Sequence, residues 1–242
     1  MKTSLEYDGV HVPIKVKQEY RNNIRYSITG KSVNVLIPKG IIGTSVEAEI
    51  EKAKIWCKKE FEKKPHLLNR FRVIYYTSGE FLHVFGRDFK LLIFKESRKG
   101  LTGKMVKDEY IEVRVPQHAE EHLVQEAIGK LLSRVFSSFF HKDIVKRVQY
   151  YNQKYFQEEI VSIKLKNNQS NWGSCSTKKN INLSSRLLFA PLHVLDYVIV
   201  HELAHLKEMN HSPRFWKIVR DVMPDYKDKE DWLSTHGHTL KY

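Results

Sequence analysis

The chain has 242 residues, two cysteines and a formal net charge of +13, from 41 Lys and Arg against 28 Asp and Glu. At 41% hydrophobic it can bury the core of one or two domains. Its apolar stretches are far shorter than the roughly 18 residues a membrane span needs, and two thiols cannot build a disulfide framework or a four-thiolate metal site.

The N-terminal MKTSLEYDGVHVPIKV has no continuous apolar run of the secretory kind, so the expected compartment is cytoplasmic. Charge is uneven along the chain. Residues 1–150 carry 28 basic and 18 acidic side chains, and residues 151–242 carry 13 and 10. Such an excess can attract polyanions, so weak DNA association through the N-terminal part is one expectation. A solvated basic surface is the commoner outcome, and no nucleic-acid-binding motif accompanies the charge.

From Val10 to Pro116 the dominant period is two. Val33, Val35 and Ile37 alternate with polar residues, and Phe71–Tyr76, Phe81–Phe85, Phe89–Phe94 and Tyr110–Val115 read as further strands. Ser78-Gly79, Gly86-Arg87 and a loop around Gly100–Lys104 punctuate them. One helix interrupts: Thr44 is the candidate N-cap with Glu47 three residues on, and Val46, Ile50, Ala53, Cys57 and Phe61 form its apolar stripe before Pro65. Cys57 therefore reads as core.

After Pro116 the period becomes helical, with apolar pairs recurring every four residues from Leu123 to Phe140. A helical stretch through Tyr150–Tyr155 leads to a strand at Ile160–Leu165. No internal repeat is visible. The expected fold is α+β, with a β-rich region over 1–116 that contains one helix, and a metal-binding catalytic domain over 117–242.

The chemistry lies in Pro191–Pro224. His201-Glu202-Leu203-Ala204-His205 is an H-E-x-x-H pattern, expected well inside a helix that starts at Pro191. Two histidines four apart share a helix face and can reach one metal, and Glu202 beside them can take a proton from an attacking water. His211, six residues after His205, is the candidate third ligand. The glycine that would turn the chain in a metzincin is replaced by Glu208, so Asn210 is expected to end the helix, with Ser212 and Pro213 starting the next. Three neutral imidazoles and one open position are the arrangement of a catalytic zinc. The bland alternative is a chance pair of surface histidines, which leaves unexplained why the helix is otherwise so apolar.

Other groups are weaker candidates. Ser170–Ser176 (SNWGSCS) is either a loop orienting substrate beside the metal or a tight turn around a small buried thiol, and residue chemistry alone favours the turn. Asn180–Leu183 is expected as a strand edge lining a cleft. His236 and His238 are candidate spare ligands or donors, with mobile exposed side chains the simpler expectation. His193 falls in a first helical turn, Met223 reads as core, and Glu208 shares the metal face. Gly100–Lys104 lacks P-loop spacing.

Trp172–Ser176 (WGSCS), Ile181–Leu183, Leu187–Pro191, Asp196–Trp216 and Met223–Tyr226 (MPDY) together resemble the YgjP-like family of predicted zinc metallohydrolases, related to the SprT-like zincins. The resemblance covers most of residues 160–235 and implies a small zincin domain behind the β-rich region. It also implies His201, His205 and His211 as zinc ligands and Glu202 as the catalytic acid/base. Asn171 departs from the family, which often has a basic residue before WGSC. Members are called metallopeptidases by motif, and the family is also described as containing pyrophosphatases acting on UTP. The expectations are therefore ranked: a peptidase-type zinc hydrolase acting on peptide or protein, then a nucleotide (UTP) pyrophosphatase on the same metal, then a nucleic-acid-associated module. The sequence sets no oligomeric state.

Overall fold

The computed structural model describes residues 2–29, 32–39, 46–168, 170–240 and 242. They form two compact units, Met1–Arg72 and Val73–Tyr242.

In the first unit, β1 (Lys2–Tyr7), β2 (Val10–Glu19), β3 (Arg25–Ile28) and β4 (Val33–Pro38) make a sheet of order β1-β2-β4-β3. The central pair β2–β4 is parallel and the outer pairs are antiparallel. Asp8 and Gly9, both at positive φ, make the two-residue hairpin between β1 and β2. Helix α1 (Val46–Lys63) lays Ile50, Ala53, Cys57 and Phe61 inward, and the last three pack with Val12, Val33, Val35 and Ile37. Cys57 is fully buried, and burial pushes its thiol up to about 12. The N-cap expected at Thr44 lies outside the described residues.

The second unit opens with β5 (Phe81–Val84), β6 (Arg87–Glu96), β7 (Thr102–Val106) and β8 (Tyr110–Pro116), in the order β5-β6-β8-β7, again with a parallel centre. The strand topology of the first unit thus recurs without a sequence repeat to announce it. Three expectations change here. Thr102–Val106 is an edge strand, where the sequence suggested a loop. Phe71–Tyr76 joins no ladder, because the Tyr76 main chain is bonded to a side chain instead: its N–H donates to Gln125 Oε1 at 2.8 Å and its carbonyl accepts from Gln125 Nε2 at 3.3 Å. The change of period near residue 116 marks sheet giving way to helix inside one unit. Phe89, Leu91, Ile111, Val113 and Val115 share a core with Val124, Ile128, Leu132 and Phe136 of α2 (Glu121–Phe139).

After α2 come α3 (His141–Tyr151), β9 (Ser162–Lys166), β10 (Gly173–Cys175) and β11 (Asn180–Ser184), then α4 (Leu192–Ala204), α5 (Pro213–Val222) and α6 (Tyr226–His236). The small sheet has the order β10-β11-β9, so β11 is its paired centre and the edges belong to β10 and β9, correcting the expectation for Asn180–Leu183. No described helix is long and apolar enough to cross a membrane.

Candidate metal centre

Helix α4 is buried on nearly every side, through Val194, Leu195, Tyr197, Val198, Ile199, Val200, Leu203 and Ala204. Its orientation is fixed by a forked pair: Arg147 of α3 donates from Nε and Nη2 to the two carboxylate oxygens of the buried Asp196, the second bond at 2.7 Å.

His201 and Glu202 stand in the last turn of α4, and His205 is its C-cap. The H-E-x-x-H pattern therefore ends the helix, where the sequence suggested its interior. Beyond it the chain tightens: the N–H groups of Leu206 and Lys207 reach back three residues, to Leu203 and Ala204, at 3.0 Å each. This turn does the work assigned to Asn210 and swings the chain back. Ser212 then caps α5, accepting from the Phe215 N–H at 3.3 Å, with Pro213 at its first position.

The result is a convergence of three imidazoles. One ring nitrogen from each of His201, His205 and His211 lies within 4.8 Å of the others, and the Nε2 atoms of His201 and His211 are 3.0 Å apart. Burial, then the neighbouring imidazoles, holds His201 down at about 3, and burial lowers His205. Both are therefore neutral at pH 7, the state a ligand needs. His205 Nδ1 bonds the Glu208 carbonyl at 3.2 Å, which leaves Nε2 for a metal. Glu208 thus acts through its main chain, while its carboxylate faces Arg214 at 3.9 Å.

Glu202 is 4% exposed, and burial raises its carboxyl to about 8. Its Oε2, like His201 Nδ1, finds no hydrogen-bond partner among the described residues. An orphaned acid beside three convergent imidazoles fits a divalent cation, which would stabilise the carboxylate where burial alone opposes it.

The WGSC segment is the part that sequence reasoning undervalued. A Cβ at Gly173 would lie 2.7 Å from both Cγ and Cδ of Glu202, and closer still to Oε1. The absence of a side chain at Gly173 is what admits the acid. Cys175, two residues on, is half-buried, and burial followed by the Glu202 charge raises its thiol to about 11, so it is inert at neutral pH. The positional cue was a glycine in a short strand, which marks a close approach.

The remaining candidates stay outside the cluster. His236 stacks on Trp232 with centroids 4.9 Å apart, His193 is exposed in the first turn of α4, and Met223 packs against the core. Among the described residues, His238 is not part of the metal-binding group either.

Fold and site together define an α+β protein with three convergent histidines suited to a divalent metal. The chain belongs to the YgjP-like, metallopeptidase domain family, which matches residues 22–236. It is similar to the UTP pyrophosphatase of Escherichia coli (strain K12), at 27% identity over 86 residues, or 36% of this chain and 52% of that protein. The match thus spans about half the length of that relative. Among solved structures it is similar to the metallopeptidase zymogen of Pyrococcus abyssi abylysin (26% identity, 38% of this chain, 92% of that one, TM-score 0.36). It is also similar to the metallopeptidase zymogen of Methanocaldococcus jannaschii jannalysin (24% identity, 38% of this chain, 94% of that one, TM-score 0.34).

Proposed function

We propose that the protein is a zinc-dependent hydrolase of the zincin type, acting on peptide bonds, with His201, His205 and His211 as ligands and Glu202 as general base and acid. The observation that carries this reading is the convergence of three imidazoles beside one buried, unpartnered carboxyl. The 3.0 Å between the Nε2 atoms of His201 and His211 is close to the roughly 3.3 Å expected between nitrogens of a tetrahedral zinc site. Zinc, when bound, supplies a polarised carbonyl and a water acidic enough to attack near neutral pH. Glu202, beside the three histidines, is the group that would take a proton from an attacking water and return it to the leaving group.

An extended substrate is favoured by the edge of β10. Trp172 and Ser176 turn their main-chain groups toward β11, the Trp172 carbonyl accepting from Ser184 N–H at 2.7 Å and the Ser176 N–H donating to Asn180 O at 3.0 Å. The alternation of an antiparallel ladder leaves Gly173 and Cys175 facing the other way, on the open edge. The Gly173 carbonyl is taken by Asn171 Nδ2 at 2.8 Å, so Cys175 offers the groups a peptide would pair with.

The second reading is a nucleotide pyrophosphatase using the same residues, favoured by the similarity to the UTP pyrophosphatase. Imidazole ligands argue against it, since phosphoryl transfer usually draws on carboxylate-held Mg²⁺. A third, weaker role is polyanion association through the first unit, where residues 1–72 carry 15 basic and 8 acidic side chains. The deciding experiment is pyrophosphate release from UTP and the other nucleoside triphosphates by zinc-loaded protein, beside cleavage of unfolded protein, with Glu202→Gln as control. Release that Glu202→Gln loses makes the protein a nucleotide hydrolase. Proteolysis lost in the same variant supports the peptidase.

A further inference from the structure

Metal-binding histidines are ordinarily oriented by a hydrogen bond from the ring nitrogen that does not bind the metal. Among the described residues, His205 has one, to the Glu208 carbonyl. His201 Nδ1 has no partner among the described residues, and the hydrogen bond His211 makes there is the Nε2 contact with His201. Something else must fix those two rings.

The packing around them supplies it. Phe215, fully buried in the first turn of α5, has its ring centroid 4.9, 4.5 and 4.8 Å from those of His201, His205 and His211. The next residue, Trp216, stacks on His211 at 5.7 Å and 24°. Trp216 stacks in turn on Tyr226 of α6 at 5.4 Å and 20°, and Tyr226 on Tyr197 of α4 at 6.4 Å and 23°. Tyr197 meets His201 edge-on at 5.9 Å, and His201 lies 5.0 Å from His211. The rings close a circuit through three helices, with Phe215 against all three histidines.

We propose that Phe215, Trp216, Tyr226 and Tyr197 are positioning residues for the metal centre, orienting His211 and His201 by ring packing where hydrogen bonds are missing. The inference rests on the ligand set given above. None of the four is assigned to the reaction itself. Trp216 is the informative member because it is only partly buried and touches both rings that lack an orienting hydrogen bond, stacking on His211 and meeting His201 edge-on at 5.8 Å, whereas Phe215 also fills the core.

The test measures zinc affinity of metal-free protein by competition with a chromophoric chelator, together with the visible spectrum of the Co²⁺ form. Trp216→Leu is expected to weaken zinc binding about 10–100-fold, the loss typical of removing an orienting partner, and to alter the Co²⁺ spectrum. Trp216→Phe keeps a ring against His211 and is expected to restore both. Tyr226→Leu, one ring further out, is expected to lower affinity by less and carries the test if Trp216→Leu does not fold. Wild-type affinity and spectrum in folded Trp216→Leu, with zinc lost in His201→Ala, would end this proposal and leave the ligand set standing. Wild-type affinity in His201→Ala and His211→Ala would remove the ligand set and the proposal with it.

Discussion

The sharpest consequence of the site is that one added methyl group should damage it. In Gly173→Ala the new Cβ falls 2.7 Å from Cγ and Cδ of Glu202, where carbon atoms ordinarily rest about 3.5–4.0 Å apart. One partner must retreat by roughly 1 Å. The strand is poorly placed to do so: Trp172 and Ser176 are tied to β11, and the Gly173 carbonyl is held by Asn171. The movement therefore falls on Glu202, which is itself packed into the protein. Overpacking of this kind costs about 1–3 kcal/mol, or about 2–4 °C in melting temperature for each kcal/mol in a unit of this size. A base displaced by about 1 Å loses on the order of 100-fold in turnover. The decisive assay needs no substrate. Urea unfolding of zinc-free protein, measured for Gly173→Ala, Glu202→Ala and the double variant, should show the methyl costing about 1–3 kcal/mol less when the acid is gone. Zinc content should stay at the wild-type level, since none of the three imidazoles is touched. An equal cost in both backgrounds would refute the close approach on which the role of Gly173 rests.

The two shifted groups also set a pH profile for the zinc-free protein. His201, held down at about 3 against an ordinary 6.5, adds stability above pH 6.5 and loses it as pH falls toward 3; Glu202, raised to about 8 against 4.5, adds stability below pH 4.5 and loses it as pH rises toward 8. Their slopes cancel between pH 4.5 and 6.5, and above that window Glu202 alone should remove about 2 kcal/mol by pH 8. Glu202→Gln should flatten this alkaline limb in urea melts, and an unchanged limb would mean another group causes it. Arg186 donates to the Leu240 and Gly237 carbonyls at 2.7 and 3.0 Å and lies 4.0 Å from the Trp172 ring. Arg186→Met should cost about 2–4 kcal/mol and speed amide exchange across Gly237–Leu240; a change under about 0.5 kcal/mol would show the C-terminal segment is held by other contacts. Finally, His211→Ala should lower zinc content by metal analysis while His238→Ala does not, and equal content in both would place the third ligand elsewhere.

The convergence of His201, His205 and His211 was legible because its signal is local. Two histidines four apart and a third just past a turn need no tertiary knowledge to be suspected, and α5 begins where Ser212 and Pro213 say it should. What stayed hidden depends on partners distant in sequence. Phe71–Tyr76 alternates like a strand, yet Gln125, 49 residues away, takes the Tyr76 main-chain bonds. Gly100–Lys104 reads as a loop because glycine and lysine are poor strand formers. Thr102–Val106 nevertheless pairs with β8 across its whole length. The end of α4 at Ala204 carries no glycine or proline, since the chain leaves the helix through tightened bonds that any residue can make. Gly173 was read as a turn glycine because nothing in the sequence says that Glu202 stands against it. The period change at Pro116 was real, but periodicity reports what an element is, and the core decides which unit it joins.

The same features that define the site make it expensive to fold. An acid held 4% exposed with one oxygen unpartnered, and an imidazole with an unpartnered buried nitrogen, each cost about 1–3 kcal/mol in a protein that gains nothing from them structurally. Both belong to α4, which has the compensation close at hand: eight buried apolar residues and the forked Arg147–Asp196 bond lie on the same helix. That arrangement explains why this helix is apolar all round, when a helix serving only as scaffold would need a single buried face. It also separates two jobs that many metal sites combine. Burial keeps His201 neutral, while the rings of Phe215 and Trp216 aim it and its partners, so orientation does not depend on a carboxylate that would raise ligand basicity. A bound divalent metal would answer the Glu202 part of this cost by stabilising its carboxylate, whereas His201 Nδ1, the ring nitrogen that does not face His211, would stay unpartnered. Packing along α4 thus offsets a cost that a metal would relieve at Glu202 alone, and the His201 ring is held by its apolar and aromatic surroundings.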